Sequence, residues 1–440
     1  MTDRFSAREA IALVATDFTE LSIVDREVPA DGPIGWAGYE AAHARARELT
    51  GEDESIVCGT ARVDGREAVV MSFEFGFLGG SLGERTGDRI EAAHVLARSR
   101  RLPVVALIAT GGSRMQEGMR ALVQLQRVAR ESALTRAAGL PQVAVLRDPA
   151  TGGGWATLGA GADVVLALPG AQVGFAGSRV RPADADPFAY TAEGQLAAGH
   201  VDGVVGAGDL RAVLGRWLTL LMTPADGPAD PPSALGALTL PVSGWDAVTR
   251  ARGAGRPGAE AYLDGYFDWR EGLGGGGAGS GVVCGFGSRG GATVAYAAQL
   301  GTPTRPAGYR AAARLIRFAD RLGVPVLTLV DTPGAANDPE AERDGVAGAI
   351  AGLFAAVAEA GVPVTSLVIG EGGSGGALAF ASPGGTWVTP DAYFSVIGPE
   401  AAAAILKRGA GEAEEIAGRL RVRPQDLVEL GVVRGVVGRG

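Results

Sequence analysis

The segment GEGGSGGALAF, which runs from Gly370 to Phe380, combines closely spaced glycines with one serine. Three chemistries fit these residues: Ser374 as a nucleophile, a nucleotide-binding turn, or backbone amides that hold an oxyanion. The segment follows an apolar run typical of a buried strand and precedes a helical pattern. In α/β folds ligands bind where a strand's carboxyl end meets a helix. We therefore expect this turn to be part of a functional site.

The serine interpretation depends on the G-x-S-x-G pattern around Ser374, which is the nucleophile elbow of α/β-hydrolases. That fold needs an acidic residue and then a histidine after the serine. The three histidines, His43, His94 and His200, all precede it. The pattern therefore argues against a hydrolase.

A nucleotide-binding turn is suggested by Gly370, Gly372 and Gly375, which fit G-x-G-x-x-G. The signal is weak, because a glycine-rich segment matches this pattern easily and the next acidic residue is Asp391. A purely structural explanation also exists for a single turn, since glycines let a helix pack closely on a sheet. A second turn of the same kind makes that explanation less favourable.

Backbone amides offer the third interpretation. Glycines at a helix N-terminus expose N–H groups that favour developing negative charge. Two such donors form an oxyanion hole, and losing one costs about 3 to 4 kcal/mol of transition-state stabilisation. The sequence has a second glycine turn in RDPATGGG, which ends at Gly154. Two turns would serve a reaction that forms an oxyanion on each of two substrates.

The chain repeats itself at a spacing of 222 residues. RLPVVALIATGG resembles LGVPVLTLVDTPG, and AGLPQVAVLRDPATGGG resembles AGVPVTSLVIGEGGSGG. Each copy alternates buried β-branched runs with amphipathic helices, which is typical of βαβ units. The proline-rich segment TPADGPADPPSALG predicts a linker between the copies. We therefore predict an α/β protein with duplicated domains at 1–222 and 245–440, joined by a linker at 223–244.

Composition limits the class of function. The net charge of −9 makes nucleic acid an improbable partner. The two cysteines, Cys58 and Cys284, are far apart, which argues against a metal cage and fits a reducing cytoplasm. The N-terminal residues carry charges where a signal peptide is apolar, and no apolar run is long enough to span a membrane. These features predict an unprocessed cytoplasmic protein without membrane contact.

Several longer motifs resemble those of bacterial acetyl-CoA carboxylase carboxyltransferase. In the first half the motifs similar to its β subunit are FGFLGGSLGERTGDRI, TGGSRMQEG, RDPATGGGWA and GAQVGFAGSRV. In the second half the motifs similar to its α subunit are WDAVTRARGAGRP, RPAGYRAAARLIRFADRLGVPVLTLVDTPGA, GEGGSGGALA and AYFSVIGPEAAAAIL. The resemblance extends roughly from Ala61 to Gly203 and from Trp245 to Val437.

The resemblance implies tandem crotonase-like domains, each a ββα superhelix. It implies transfer of a carboxyl group from carboxybiotin to the α-carbon of an acyl-CoA, and biotin that has lost the carboxyl group can itself accept the α-proton. The implied partners are a biotin carboxyl carrier protein, biotin carboxylase and a further copy of the chain, because the family joins half-sites from two protomers. The implied cofactor is biotin, with a CoA thioester as substrate.

The resemblance also assigns roles to individual residues. The amides of Gly152, Gly153 and Gly154 would hold the thioester carbonyl as it becomes an enolate. The amides of Gly375, Gly376 and Ala377 would hold the ureido oxygen of biotin. Gly111, Gly112 and Arg114 match a motif at the acyl-CoA site, although Arg114 could equally be a solvated arginine. Arg305, Tyr309 and Arg310 could line the biotin side or lie on a surface helix. Glu117 and Glu371 are candidate carboxylates that fit a structural role better.

Three departures from the family pattern leave alternatives open. No four-cysteine zinc ribbon can form, so no zinc is expected. A basic loop found in many α subunits is missing before RPAGYR, and Val346, Ala347 and Gly348 stand where polar residues are common. These changes keep open a biotin-independent malonyl-thioester decarboxylase or carboxyltransferase. A catalytically silent structural subunit is a further alternative, which the intact glycine turns argue against.

Overall fold

The structure is a computed structural model that describes residues 4–23, 26–275, 277 and 279–438. The chain divides into two compact units, Met1–Met222 and Thr223–Gly440. Each unit contains one sheet covered by helices. Among the described residues, no helix combines the length and the apolar character needed to cross a membrane.

The first unit is built on a sheet that is parallel over most of its width. Its strands are β1 (Thr16–Glu20), β2 (Ile56–Val63), β3 (Arg66–Phe73), β4 (Val104–Thr110), β5 (Gln142–Thr151), β6 (Val164–Ala167), β7 (Val173–Gly174) and β8 (Gly203–Val204). They are ordered β1-β2-β3-β4-β5-β6-β8, with β7 paired to β5. Its helices are α1 (Ala7–Val14), α2 (Tyr39–Thr50), α3 (Glu84–Arg100), α4 (Met119–Leu122), α5 (Gln124–Ala137), α6 (Gly152–Gly154), α7 (Ala192–Ala197) and α8 (Leu210–Met222).

The second unit repeats this plan. Its strands are β9 (Trp269–Leu273), β10 (Val282–Arg289), β11 (Ala292–Gln299), β12 (Val326–Thr332), β13 (Val364–Gly373), β14 (Thr386–Val388) and β15 (Tyr393–Ser395). They are ordered β14-β13-β12-β11-β10-β9, with β15 paired to β13. Its helices are α9 (Gly244–Ala251), α10 (Ala259–Tyr266), α11 (Pro306–Leu322), α12 (Pro339–Arg343), α13 (Val346–Glu359), α14 (Ser374–Leu378), α15 (Pro399–Ile405), α16 (Ala413–Arg419) and α17 (Pro424–Glu429).

Local sequence explains where these elements begin and end. The central strands β4 and β12 are buried at every residue, as their continuous apolar runs predict. Pro306 opens α11 at the position where a missing N–H costs nothing, and Gly323 ends it in a left-handed conformation. Ser6 caps α1, and Glu9 completes the capping box. The local sequence therefore accounts for the burial of the central strands and for the residues at which these helices begin and end.

The duplication is visible in the elements that carry the two turns. Strands β4 and β12, strands β5 and β13, helices α3 and α11, and helices α5 and α13 each begin and end 222 positions apart. The β4–β5 pairing loses register between Ile108 and Thr110, and the β12–β13 pairing does so between Val330 and Thr332. Residues 222 positions apart can therefore be compared directly within these elements.

The predicted linker packs as part of the second unit. Thr223 accepts a hydrogen bond from the Thr293 N–H at 2.8 Å, and the Ala234 N–H donates to the Gly438 carbonyl at 2.9 Å. Ala229 and Ala234 are buried. Prolines remove donors and fix φ, so residues 225–243 of this segment form neither helix nor strand and are held through their remaining backbone groups and small side chains.

Candidate active site

The first glycine turn connects β5 to α6. Gly152 has a φ of 64°, a left-handed conformation that suits glycine. Its N–H donates to the Phe175 carbonyl at 3.1 Å. A Cβ here would lie 2.9 Å from the Gly112 Cα. Gly152 therefore shapes the turn, and its amide already has an acceptor, which argues against its predicted role as an oxyanion donor.

Gly153 and Gly154 follow in the first helical turn, where N–H groups have no intrahelical acceptor. Both residues are buried. A Cβ on Gly154 would lie 2.4 Å from the Thr110 Cγ2, and a Cβ on Gly153 would lie 2.4 Å from a Leu125 methyl. Side chains are excluded at both positions, so these two amides are the candidate donor pair of the first unit.

The second turn connects β13 to α14 and has the same form. Ser374, with a φ of 58°, stands where the first turn has Gly152. Gly375 and Gly376 correspond to Gly153 and Gly154 and form the second candidate pair. Ala377 is the fourth residue of α14, the first position at which a helical N–H has an acceptor four residues back. We therefore expect the Ala377 amide to be used within the helix.

The two turns differ in how they are covered. At the first turn the Leu125 side chain of α5 reaches Gly153. The residue 222 positions later is Ala347 on α13, whose side chain is too short to do the same. A Cβ on Gly375 would meet no atom within 4 Å, and Gly375 is exposed. The departure from the family pattern at Ala347 therefore accompanies an open second turn.

Threonines at the ends of β4 and β12 hold the neighbouring loops. The Gly112 N–H donates to the Thr110 Oγ1 at 3.0 Å, and the Gly334 N–H donates to the Thr332 Oγ1 at 3.2 Å. The Gly111 N–H donates to a backbone carbonyl at 2.9 Å. The amides of Gly111 and Gly112 are thus occupied, and Gly112 instead permits the close approach to the first turn.

Arg114 is buried in a cluster of charged side chains. The residue is 1% exposed and forms ion pairs with Glu54 and, at 3.2 Å, with Glu117. Burial alone would raise the pKa of Glu54, but Arg114 holds it at about 2. Glu117 also accepts from the Tyr39 hydroxyl at 2.7 Å. Arg114 is therefore not the solvated side chain that one alternative predicted, and its ion pairs favour a structural role for both Arg114 and Glu117.

The three residues predicted near biotin, of which Arg305 is the N-cap of α11 and the other two lie in the helix, occupy different environments. Tyr309 is fully buried, and its hydroxyl donates to the Gly376 carbonyl at 3.2 Å. Burial raises the pKa of this hydroxyl. Arg305 pairs with Asp338 at 3.0 Å, and Arg310 pairs with Asp344 at 2.8 Å. Tyr309 therefore holds the second turn by a hydrogen bond to its backbone, whereas the two arginines form ion pairs at the surface.

A polar network lies next to the second turn. Asp331 pairs with Arg256 at 2.7 Å and accepts from the Glu371 N–H at 3.1 Å. Burial raises the pKa of Asp331 despite Arg256. The Glu371 carboxylate accepts from the Arg252 Nε and the Tyr393 hydroxyl, both at 2.8 Å. Glu371 is thus anchored by two donors, as its structural interpretation predicts.

Sequence reasoning missed Arg256 and Asp331 as members of this network. The positions corresponding to Asp331 and Glu371 in the first unit are Ala109 and Pro149. In the second copy, carboxylates thus replace residues that are uncharged in the first copy, and this difference could have been found by aligning the two halves of the sequence. It indicates that the second turn has its own electrostatic surroundings.

An apolar pocket of about 310 Å³ lies beside the second turn, lined by Gly375, Leu378, Phe394, Val396 and Leu430 among others. Leu378 and Val396 are exposed. In the first unit, Phe175, whose carbonyl accepts the Gly152 N–H of the first turn, is also exposed, at 74%. Within the described ranges, no group of three or more His, Cys, Asp or Glu side chains is placed to hold a metal ion.

Two family models match the chain. Residues 35–213 match the carboxyl transferase domain, and residues 239–439 match an acetyl co-enzyme A carboxylase carboxyltransferase-like model. The acetyl-coenzyme A carboxylase carboxyl transferase subunits beta/alpha of Saccharopolyspora erythraea are 39% identical over 423 residues, covering 91% of this chain and 74% of that protein. The chain belongs to the acyl-CoA carboxylase carboxyltransferase family. This confirms the resemblance inferred from the motifs.

Another relative of this carboxyltransferase is the probable biotin-dependent acyl-coenzyme A carboxylase beta3 subunit of Mycobacterium bovis. It is 36% identical over 414 residues, which cover 91% of this chain and 83% of that protein. The family is therefore represented among relatives by both acetyl-CoA and acyl-CoA carboxylase subunits.

Solved structures agree on the fold. Transcarboxylase 12S, whose structure contains methylmalonyl-coenzyme A, superposes with a TM-score of 0.80 at 20% identity over 99% of this chain and 87% of that chain. A single-chain, multi-domain long-chain acyl-CoA carboxylase superposes with a TM-score of 0.76 over 99% of this chain and 45% of that chain. The predicted tandem crotonase-like α/β fold is confirmed, and so is the prediction of a carboxyltransferase. The domain limits and the roles of individual residues remain predictions.

Proposed function

We propose that this carboxyltransferase moves a carboxyl group between carboxybiotin and the α-carbon of an acyl-CoA, and that each glycine turn stabilises one oxyanion. The observation that carries the proposal is the equivalence of Gly153 and Gly154 with Gly375 and Gly376 at a spacing of 222 residues. Each pair places two amides in the first turn of a helix that follows a central strand. Such paired donors stabilise charge on an oxygen atom.

In the first unit the Gly153 and Gly154 amides would hold the thioester oxygen of the acyl-CoA. Removal of an α-proton places negative charge on that oxygen, and fixed N–H donors lower the free energy of the resulting enolate. Thr110 and Leu125 exclude side chains from these two positions. The turn therefore offers backbone rather than side-chain chemistry.

The second unit fits a group that must approach the backbone closely. Gly375 is exposed, and a Cβ there would enter open space that a ligand could occupy. When bound, carboxybiotin on its carrier protein supplies the carboxyl group. The amides of Gly375 and Gly376 would hold its ureido oxygen, and Tyr309 would fix the helix by donating to the Gly376 carbonyl. The description of the Mycobacterium bovis relative as biotin-dependent supports biotin over a biotin-independent reaction.

The proposal extends to assembly and partners. A half-site for acyl-CoA and a half-site for biotin must meet, so we propose at least a homodimer in which the first unit of one protomer meets the second unit of its partner. The exposed Phe175 near the first turn and the exposed Val396 near the second support burial of both surfaces. We further propose a biotin carboxyl carrier protein and biotin carboxylase as partners, in the cytoplasm.

Biotin-dependent decarboxylation of malonyl-CoA tests the reaction with purified protein. We expect acetyl-CoA to form in the presence of free biotin and not in its absence. Gly375→Val places a side chain in front of the second amide pair, and blocking one donor of about 3 kcal/mol should slow turnover about a hundredfold. Malonyl-CoA affinity, measured by calorimetry, should not change in this variant.

Gly265→Val is the matched control, because Gly265 lies on α10, is exposed, and would also place its Cβ in open space. This variant should retain full turnover. Turnover without biotin in the wild-type protein would support the biotin-independent alternative. Loss of turnover in both variants, or in neither, would remove the assigned role of the second turn.

A further inference from the structure

The first unit contains a pocket that neither glycine turn lines. It lies at the carboxyl ends of β4 and β5 beside the start of α1 and has a volume of about 310 Å³. The half-buried side chains of Phe5, Phe75 and Leu168 give it apolar walls. Its volume is at the lower end of the range of about 300 to 1,000 Å³ typical of small-molecule sites. The pocket is therefore suited to a small, mainly apolar ligand.

A buried cation forms part of the wall. Arg147 is 5% exposed, and its Nη1 donates to the carbonyls of Phe5 at 3.0 Å and Ser6 at 3.3 Å. Its Nη2 donates to the Phe73 carbonyl. Its Nε has no hydrogen-bond partner within the described part of the chain. The carbonyls anchor the side chain but carry no net charge, so these contacts leave the positive charge uncompensated.

The neighbouring carboxylates are already engaged. The negative charge of Glu74 raises the pKa of Arg147 without a direct ion pair. Both Glu74 carboxylate oxygens accept hydrogen bonds from backbone N–H groups, at 2.7 and 2.8 Å. Asp148 accepts from a backbone N–H at 3.1 Å and pairs with Arg4 at 3.4 Å. Burial lowers the pKa of Arg147 to about 10, which Glu74 only partly offsets. Arg147 is still a cation at neutral pH.

The duplicated copy shows that the fold does not require this cation. The residue 222 positions after Arg147 is Ile369, which is fully buried at the same point of β13. An apolar side chain is therefore sufficient for the strand in this sheet. A buried, unpaired charge normally costs stability, so its presence beside a pocket points to a ligand.

We propose that this pocket binds a small aliphatic monocarboxylate, with its carboxylate against Arg147 and its hydrocarbon chain between Phe5, Phe75 and Leu168. Asp148 at the same pocket is paired with Arg4 at 3.4 Å, so the charge left for a ligand to balance is the single positive charge of Arg147, which one carboxylate matches. The inference does not depend on the roles proposed for the glycine turns.

Hexanoate and 1-hexanol are the probes, since they share a hydrocarbon chain and differ in charge. We expect the full-length wild-type protein to bind hexanoate at least tenfold more tightly than 1-hexanol in calorimetry at pH 7. Arg147→Met should abolish that preference, and Arg147→Lys should retain part of it. Ala207→Phe, which fills the pocket from a half-buried position, should weaken both ligands.

Saturating malonyl-CoA is included to locate the site, and thermal denaturation checks the fold of each variant. Hexanoate binding that persists with malonyl-CoA present supports a separate pocket, whereas displacement would place hexanoate at the acyl-CoA site and overturn the inference. Equal affinities for the two probes in the wild-type protein would also overturn it. If Arg147→Met does not fold, Ala207→Phe decides: unchanged hexanoate affinity in that variant rejects the pocket.

Discussion

Gly152 and Ser374 adopt the same left-handed conformation at corresponding positions of the two turns, with φ values of 64° and 58°. Glycine reaches this region without penalty, whereas a residue with a Cβ loses roughly 1 to 2 kcal/mol there. The strand-to-helix geometry thus imposes the conformation on whichever residue occupies the position. Ser374 is exposed and tolerates this strain, and its place in a G-x-S-x-G pattern follows from the turn and not from nucleophilic chemistry.

Ser374→Gly should therefore stabilise the second unit, by about 1 kcal/mol or somewhat less, because part of the relieved strain is offset by the greater flexibility of unfolded glycine. Ser374→Ala should retain most of the biotin-dependent turnover. Urea denaturation and the decarboxylation assay measure the two effects. A loss of several orders of magnitude in Ser374→Ala, with the fold intact, would restore the nucleophile hypothesis.

Adjacent glycines of the second turn should respond differently to the same substitution. A Cβ on Gly376 would lie 2.5 Å from the Ala335 nitrogen, which is backbone and cannot move aside, whereas a Cβ on Gly375 meets no atom within 4 Å. Gly376→Val should thus destabilise the second unit by about 2 to 3 kcal/mol, and Gly375→Val by less than about 1 kcal/mol. Comparison of denaturation midpoints checks this. Similar midpoints for the two variants would mean that the turn is looser than this packing implies.

The sequence identified both turns because glycine spacing and strand-to-helix context are local properties. It also revealed the duplication, since the 222-residue register is a property of the chain. The occupied amide of Gly152 could not be foreseen, because its acceptor is the carbonyl of Phe175 in a distant loop. The burial of Arg114 was missed for the same reason: its partner Glu54 lies 60 positions away. Contacts between remote segments decide whether a polar group is available, and no local pattern specifies them.

Arg114 and Glu54 should behave as a structural pair. Glu54→Gln leaves a fully buried guanidinium without its main counter-charge, which typically costs about 3 to 5 kcal/mol. Glu20→Gln is the control, because its ion pair with Arg8 is exposed and should contribute less than about 1 kcal/mol. Urea denaturation of both variants measures the difference. If Arg114 instead contacts substrate, Glu54→Gln should change malonyl-CoA affinity and leave the denaturation midpoint nearly unchanged.

His94 should make the first unit sensitive to mild acid. Its ring is fully buried on α3, its Nδ1 lies 3.0 Å from the Thr135 Oγ1, and burial together with the nearby Arg98 cation lowers its pKa from 6.5 to about 4. Between these two pKa values the unfolded chain binds a proton that the folded unit does not. Stability is therefore complete above pH 6.5 and falls as the pH decreases towards 4, by about 2 to 3 kcal/mol at pH 4.5.

His94→Gln removes the titrating ring but keeps a polar side chain that can reach Thr135, so its stability should change much less between pH 6.5 and 4.5. His200→Gln is the matched control, because His200 is exposed and its substitution should leave the wild-type acid profile in place. Denaturation midpoints are measured at intervals across this range, and the difference between the wild-type and His94→Gln profiles isolates the contribution of His94, because His43 and the carboxylates that titrate near pH 4.5 are common to both proteins. Parallel profiles for the wild-type protein and His94→Gln would show that the buried ring accepts a proton without destabilising the fold, contrary to its burial beside Arg98.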